Sequence, residues 1–473
     1  MKSLLMNMKR SISLFLLLTV ITNSFAQKLP VLKSNRLSLD IRDGDKLRKN
    51  RWNIDSKTKP DIFETTIDKK YKWVTFISDV DSIRFKVKAG KSYPFIVVLN
   101  EKDSAYTRID GIKNIPGAQF NRRYVTSHDQ KSFVEIPQVY ELFNIISALT
   151  AYGRKDNGLI IKNTKYYEQV LQWFDAYKDE PVVKKTEQIL AGNLMAFVPL
   201  KMDAYAFEMN GNGKITQSKV YDRINTGRVN TLKPFLAELQ SFSDKSGFQR
   251  FYKENTSFYN DQIRIYKDSI GLQEMQKWLT YHFPSAKYNS FKVIFSPLAG
   301  NIQSAAWFEN NGFKEAQAHV NFPYRNIEDE KDFSVAALKV KDGNIVFTEL
   351  NHSFINPEGK KPSYQKSLAK AFSDLSVWNE KTKPAGQYYN NAYACFNEYM
   401  NWGLTSLRYL DYAPAAEQGK LIANIEKKQS EIRGFKKFGL FNQYLIKIYR
   451  NRAKGQTIAD LYPLIVKWFE DNK

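Results

Sequence analysis

The sequence predicts an α+β protein: a small β-rich N-terminal domain followed by a mainly helical domain that carries a small sheet of its own. Three observations predict it. In "SIRFKVK", Ile83, Phe85 and Val87 alternate with Arg84, Lys86 and Lys88, the period of a half-buried strand. In "IPQVYELFNIISALTAYG", Val139, Leu142, Phe143, Ile146 and Leu149 recur at helical spacing. A second β signal then returns late in the chain, in "FKVIFSPLAG" from Phe291 to Gly300.

The elements follow in order. Lys2, Lys9 and Arg10 precede an apolar run from Ile12 to Ile21, and "NSFAQ" sets small residues at Ser24 and Ala26. That is the layout of a cleavable secretory leader over residues 1–26, so the mature chain is expected to be exported, to the periplasm or beyond. Residues 27 to about 61 are polar and weakly periodic, a lead-in with short strands. "WVTFI" from Trp73, "SIRFKVK" and "PFIVVLN" ending at Asn100 read as strands, with "AGKSY" as turn chemistry between the last two. The β-rich domain is expected to occupy residues 27–117 and the α+β domain 118–473. Within the latter, "YYEQVLQWFDAY" continues the helical pattern, helices run to about Thr280, "EAQAHVNFPY" adds a strand signal, and the stretch from Ser334 to Lys473 is helical. No repeat or low-complexity tract interrupts it.

Composition narrows the function. A chain of 473 residues with 43% hydrophobic and 14% aromatic content is globular and long enough for two or three domains. The formal charge is +22, and the three basic residues of the leader take it to +19. These charges are scattered, with no arginine-rich tract or nucleic-acid module, so a solvated basic surface is expected and no nucleic-acid partner. No segment after the leader approaches a transmembrane span. The single cysteine, Cys395, excludes an intramolecular disulfide, and its neighbours Tyr393, Phe396 and Tyr399 make it a packing residue rather than a nucleophile. "EMNGNGKI", Glu208 to Ile215, resembles a calcium loop, but its twelfth position is Lys219 where a bidentate Glu is required, so it reads as a hairpin turn. Serine-hydrolase elbows and phosphate-binding glycine loops are absent.

Chemistry concentrates in "IVFTELNHSFINP", Ile345 to Pro357. On a helix, Thr348 and His352 stand four apart on one face, and Glu349 addresses the same space. Asn356-Pro357 is expected to end that helix. A Glu and a His beside "IVF" are expected to be buried and to need partners, which ordinary hydrogen bonds would also supply. Asn390 to Tyr412 reads as a second, buried helix carrying Glu398, whose carboxylate needs a cation or donors; Arg408 or Tyr409 would serve. Of the other histidines, His128 and His282 have no partner pattern, and His319 lies on the strand "EAQAHVNF".

Four segments carry a resemblance: "VKAGKSYPFIVVLNEKDSAYT", "SPLAG", "TELNHSFINP" and "FNEYMNWGL". Over most of the mature chain the sequence resembles secreted bacterial proteins related to the gluzincin metallopeptidases. The resemblance implies a zincin-like fold for the second domain, a zinc cofactor and a peptide or protein substrate. It makes Glu349 the general base, and His352 and Glu398 metal ligands. Thr348 departs from the pattern, standing where the first His of His-Glu-x-x-His belongs. Catalytic zinc takes three protein ligands, and His352 with Glu398 supplies two. Recruitment of Glu349 or His319 would complete the set; otherwise the cleft survives as a peptide- or glycan-binding module without catalysis. Trp378, Tyr388, Tyr389, Tyr393, Tyr399 and Trp402 are candidates to line that cleft or to pack in the core.

Overall fold

A computed structural model describes residues 29–36, 38–53, 62–155, 158–324 and 331–473. The expected leader lies outside the described residues. The chain is α+β and divides into two compact units, residues 1–115 and 116–473.

Among its described residues the first unit holds eight strands: β1 (Val31–Ser34), β2 (Ser38–Asp43), β3 (Lys46–Asn53), β4 (Phe63–Ile67), β5 (Lys72–Ile77), β6 (Ser82–Val87), β7 (Ser92–Leu99) and β8 (Asp103–Lys113). They form two four-stranded sheets, ordered β1-β7-β8-β4 and β3-β2-β5-β6. Alternation does what the pattern predicts: Val74, Phe76, Phe85 and Val87 from one sheet and Phe95, Val97 and Ile109 from the other share one apolar core. The Phe76 and Phe95 rings meet across it at 5.0 Å. The lead-in is less peripheral than its polarity suggests, because β1 pairs in parallel with the central strand β7. Gly111 is required where the strands crowd, since a Cβ there would stand 2.1 Å from the Lys88 carbonyl oxygen.

The second unit is mainly helical around a four-stranded mixed sheet, ordered β13-β14-β12-β9. β9 is Lys131–Glu135, β12 Ser290–Ser296, β13 Ser304–Asn310 and β14 Phe313–Asn321. β12 runs parallel to both neighbours, and β13 closes one edge antiparallel to β14. β9 and β13 carry no clear alternation and escape a sequence reading. The "EMNGNGKI" loop joins a two-stranded hairpin, β10 (Phe207–Met209) with β11 (Ile215–Gln217), as its turn chemistry predicts.

Two faces of the sheet have different chemistry. Phe291, Val293, Ala316 and Ala318 lie on one, and the small alanines let a helix approach; Phe354 of α4, defined below, stacks on Phe291 at 6.2 Å. Glu315, Gln317, His319 and Lys292 occupy the other, all buried. There His319 lies between the rings of Tyr140 and Tyr205, at 5.7 and 5.9 Å. Tyr140 comes from helix α1 (Gln138–Leu149), and Tyr205 follows helix α2 (Phe197–Ala204).

Helix α3 (Leu272–His282) leads into β12, and α4 (Asn344–Gly359) lies against β13 and β14. α4 also packs on α5 (Ala392–Tyr412), which is buried from Cys395 to Tyr409 and capped by Asn391, whose side chain accepts from the Ala394 N–H. Behind α5 stand α6 (Phe438–Arg450) and α7 (Ile458–Asp471). Pro357 does not end α4 as the sequence suggested, for the helix runs on to Gly359. A proline leaves the carbonyl four residues back without its helical donor. Here that carbonyl, of Ser353, accepts a hydrogen bond from the Tyr288 hydroxyl at 2.8 Å. Among the described residues no helix is long and apolar enough to cross a membrane.

Candidate functional site

α4 and α5 bring His352 and Glu398 together from 46 positions apart in sequence, with Nε2 and Oε2 3.9 Å from one another. His352 keeps 22% of its side chain accessible and Glu398 only 5%. A carboxylate so buried requires compensation. Glu398 Oε1 receives it from Arg433 Nη1 at 2.7 Å and from Trp402 Nε1 at 2.9 Å. Burial by itself would raise the Glu398 carboxyl, but the charge of Arg433, the nearby His352 ring and the hydrogen bonds donated by Arg433 and Trp402 hold it below the usual glutamate value. Oε2 is left facing His352.

The cation on Glu398 is therefore Arg433, not the Arg408 or Tyr409 that the neighbouring turns suggested. Arg408 is committed elsewhere, donating to the Val340 carbonyl at 2.8 Å. Arg433 follows a short wide-turn segment, Lys428–Ile432, and also donates to Tyr389 Oη at 2.7 Å and Gln429 Oε1 at 3.0 Å.

His352 has a defined tautomer. The Asn401 amide Nδ2, 3.1 Å from Nε2, can only donate, so Nε2 accepts; Nδ1 then carries the proton, 3.4 Å from Asn356 Oδ1. A ring oriented in this way by its Nδ1–H presents Nε2 as a ligand.

Glu349, one residue beyond Thr348 on α4, is half-buried, and among the described residues no hydrogen bond or ion pair reaches its carboxylate. Burial pushes its carboxyl up to about 7, with Glu398 adding to the rise and His352, Lys201 and Arg433 opposing it. Lys201 of α2 is buried, donates to the Ile302 carbonyl at 2.7 Å, and is pushed down to about 8 by burial, against the pull of Glu349. Nothing in the motif pointed to Lys201.

Thr348 is 2% exposed, and its Oγ1 donates back to the Ile345 carbonyl at 2.9 Å. Its hydroxyl hydrogen is thus spent on its own backbone. His319 stays on the sheet face away from α4, with Nε2 3.1 Å from Gln317 Oε1, and burial holds its ring well below its ordinary value. Of the sequence candidates, Glu349, His352 and Glu398 converge, whereas Thr348 turns inward and His319 is not brought to them.

The aromatic candidates separate in the same manner. Trp378 and Tyr399 are fully buried core, while Tyr389 and Trp402 contact Arg433 or Glu398, and Tyr393 Oη donates to the Asn356 carbonyl at 2.6 Å. Tyr388 is exposed. Cys395 is buried, its Sγ 3.3 Å from Asn379 Oδ1, and burial pushes the thiol up, away from nucleophilic chemistry.

A nitrogen and an oxygen 3.9 Å apart are just within reach of one zinc at about 2 Å each, at an angle wider than tetrahedral. The two side chains stand on facing helices with a half-buried carboxylate beside them, and the edge strand β13 lies against α4.

A family model described as a domain of unknown function, DUF4932, matches residues 133–468. The chain belongs to the DUF4932 family. The DUF4932 match takes in the last three residues of β9, all of β12, β13 and β14, α4, α5 and Arg433, so the candidate site lies inside it. No curated protein and no solved structure matches the chain.

Proposed function

We propose that this DUF4932 protein is an exported, metallopeptidase-like protein whose divalent-cation site lies between α4 and α5 and whose substrates are peptides. The observation that carries the reading is the convergence of His352 and Glu398 at 3.9 Å, with Glu349 on the same helix as His352. It supports the gluzincin resemblance residue by residue, apart from Thr348.

A divalent cation bound there would polarise a peptide carbonyl and acidify a water. The chain's own residues supply the rest. His352 and Glu398 hold the ion, and Arg433 with Trp402 fixes the second oxygen of Glu398 so that one lone pair faces the ligand position. Glu349, raised to about 7, is suited to take up and release a proton near neutral pH. β13 pairs only with β14 among the described residues, which leaves an edge able to align an extended peptide by main-chain hydrogen bonds.

The test is zinc content and peptide cleavage in one preparation. Mature protein dialysed against Zn2+ is expected to hold near-stoichiometric metal, to lose it in His352→Ala, and to keep metal but lose cleavage of a fluorogenic peptide library in Glu349→Gln. Absence of zinc from the wild type overturns the enzyme reading. A second reading, a non-catalytic module that binds peptide or glycan, is favoured by the inward turn of Thr348 and the Arg433 ion pair on Glu398. It predicts ligand binding that chelators leave unchanged, and no cleavage.

A further inference from the structure

Resting on the metal-site reading, a further inference concerns the ligand that replaces the missing histidine. We infer that the Asn401 amide oxygen completes the metal set as its third protein ligand. Asn401 stands three residues after Glu398 on α5 and therefore on the same face. It is 2% exposed, and its Oδ1 has no hydrogen-bond partner among the described residues. No hydrogen bond among the described residues holds Oδ1 in its place, so a half-turn of the amide breaks none there.

Asn401 Nδ2 is 3.1 Å from His352 Nε2 and 3.5 Å from Glu398 Oε2, and those two atoms are 3.9 Å apart; the point equidistant from the three lies about 2 Å from each, the length of zinc bonds to nitrogen and oxygen. The amide turns its NH2 inward, where it donates to His352 Nε2 and Glu398 Oε2, the lone pairs that a cation would take. A half-turn about the last side-chain torsion exchanges Nδ2 for Oδ1 and presents a carbonyl oxygen at the same position. The resulting set of one imidazole, one carboxylate and one amide oxygen suits Zn2+ and its neighbours in the first transition row. The Asn401 position is itself fixed, because Asn351 Nδ2 of α4 donates to the Asn401 carbonyl at 3.2 Å.

The experiment titrates wild type, Asn401→Ala, Asn401→Asp and His352→Ala with Zn2+ against a chromophoric chelator, and with Co2+ read by visible absorption. Removal of an outer-shell partner costs about 10- to 100-fold in metal affinity, so loss of a ligand in Asn401→Ala is expected to weaken Zn2+ binding by about 100-fold or more. Asn401→Asp keeps an oxygen and adds charge; it is expected to bind at least as tightly as wild type, with a shifted Co2+ absorption band that a purely structural role would not produce. Zinc binding by Asn401→Ala equal to wild type, with binding lost in His352→Ala, overturns the assignment of Asn401 and leaves the metal-site reading standing. Absence of Zn2+ binding in wild type overturns both. An unaltered Co2+ band in Asn401→Asp likewise overturns the assignment, and it does so in a variant of unchanged shape.

Discussion

Replacing Arg433 by Met tests whether the centre between α4 and α5 is organised by charge. The substitution keeps an apolar stem among Tyr389, Phe435 and Trp402, whose rings lie 5.2 to 5.7 Å from the guanidinium carbon, and removes the cation. Glu398 is 5% exposed and would keep as donors Trp402 at 2.9 Å and Asn401 at 3.5 Å. Breaking a buried ion pair from one side strands the other charge, at about 3–5 kcal/mol. The hydrogen bonds from Arg433 to Tyr389 and Gln429 disappear as well, so the upper part of that range is expected. Set against a typical stability of about 5–15 kcal/mol, the loss is plain in a urea titration at pH 7. Zinc supplies the second half of the test. Any bound ion stabilises the fold by about 2.7 kcal/mol at a hundred times its Kd. A cation on Glu398 Oε2 competes with Arg433 for the same carboxylate, so Arg433→Met should gain more from Zn2+ than wild type does. A destabilisation below about 1 kcal/mol, the worth of an exposed pair, would refute the claim that Arg433 holds this centre.

Three further outcomes are expected. Thr348→His restores the absent imidazole and should tighten Zn2+ binding by about tenfold or more in chelator competition, since an imidazole is a first-shell donor and a threonine turned to its own backbone is not. Tyr288→Phe leaves the Ser353 carbonyl without a donor beside Pro357 and should cost about 1–3 kcal/mol by denaturant titration, with metal content unchanged. His282 is buried, with Nε2 3.1 Å from Tyr449 Oη and Nδ1 3.4 Å from the Ile458 N–H; burial, opposed by Asp411 and reinforced by Arg452, pushes its ring down to about 4 from an ordinary 6.5. The unfolded chain therefore binds this proton first. The stability it contributes is complete above pH 6.5 and declines as pH falls toward 4, by about 3 kcal/mol. Urea midpoints measured across that range should flatten in His282→Asn, and an equally steep decline in the variant would assign the acid loss to other groups.

What was legible in the sequence depended on whether a residue's role is local. The alternation of Phe85 and Val87 names the buried face of β6 without reference to any other strand, and so the first unit was readable. β13 was not: as an edge strand it buries few side chains, and Glu309 and Asn310 break the pattern. Pro357 misled because its helix-ending tendency was overridden by Tyr288, a residue 69 positions earlier whose hydroxyl no window around the motif contains. Arg433 was invisible for the same reason, arriving from beyond two helices to meet Glu398, while the nearer Arg408 points to carbonyls on another side. Asn401 is the instructive case. It lies three positions from Glu398, so periodicity alone put both on one face. Yet α5 is apolar or buried nearly all round, and a helix without a polar stripe conceals which face carries function. Only the approach of α4, made close by Ala316 and Ala318 beneath it and tied by Asn351 to the Asn401 carbonyl, selects that face and turns two unrelated amides, a histidine and a glutamate into one constellation. At position 348 the side chain turns to its own backbone, and the polar groups that meet here come from both helices, His352 from α4 and Glu398 with Asn401 from α5.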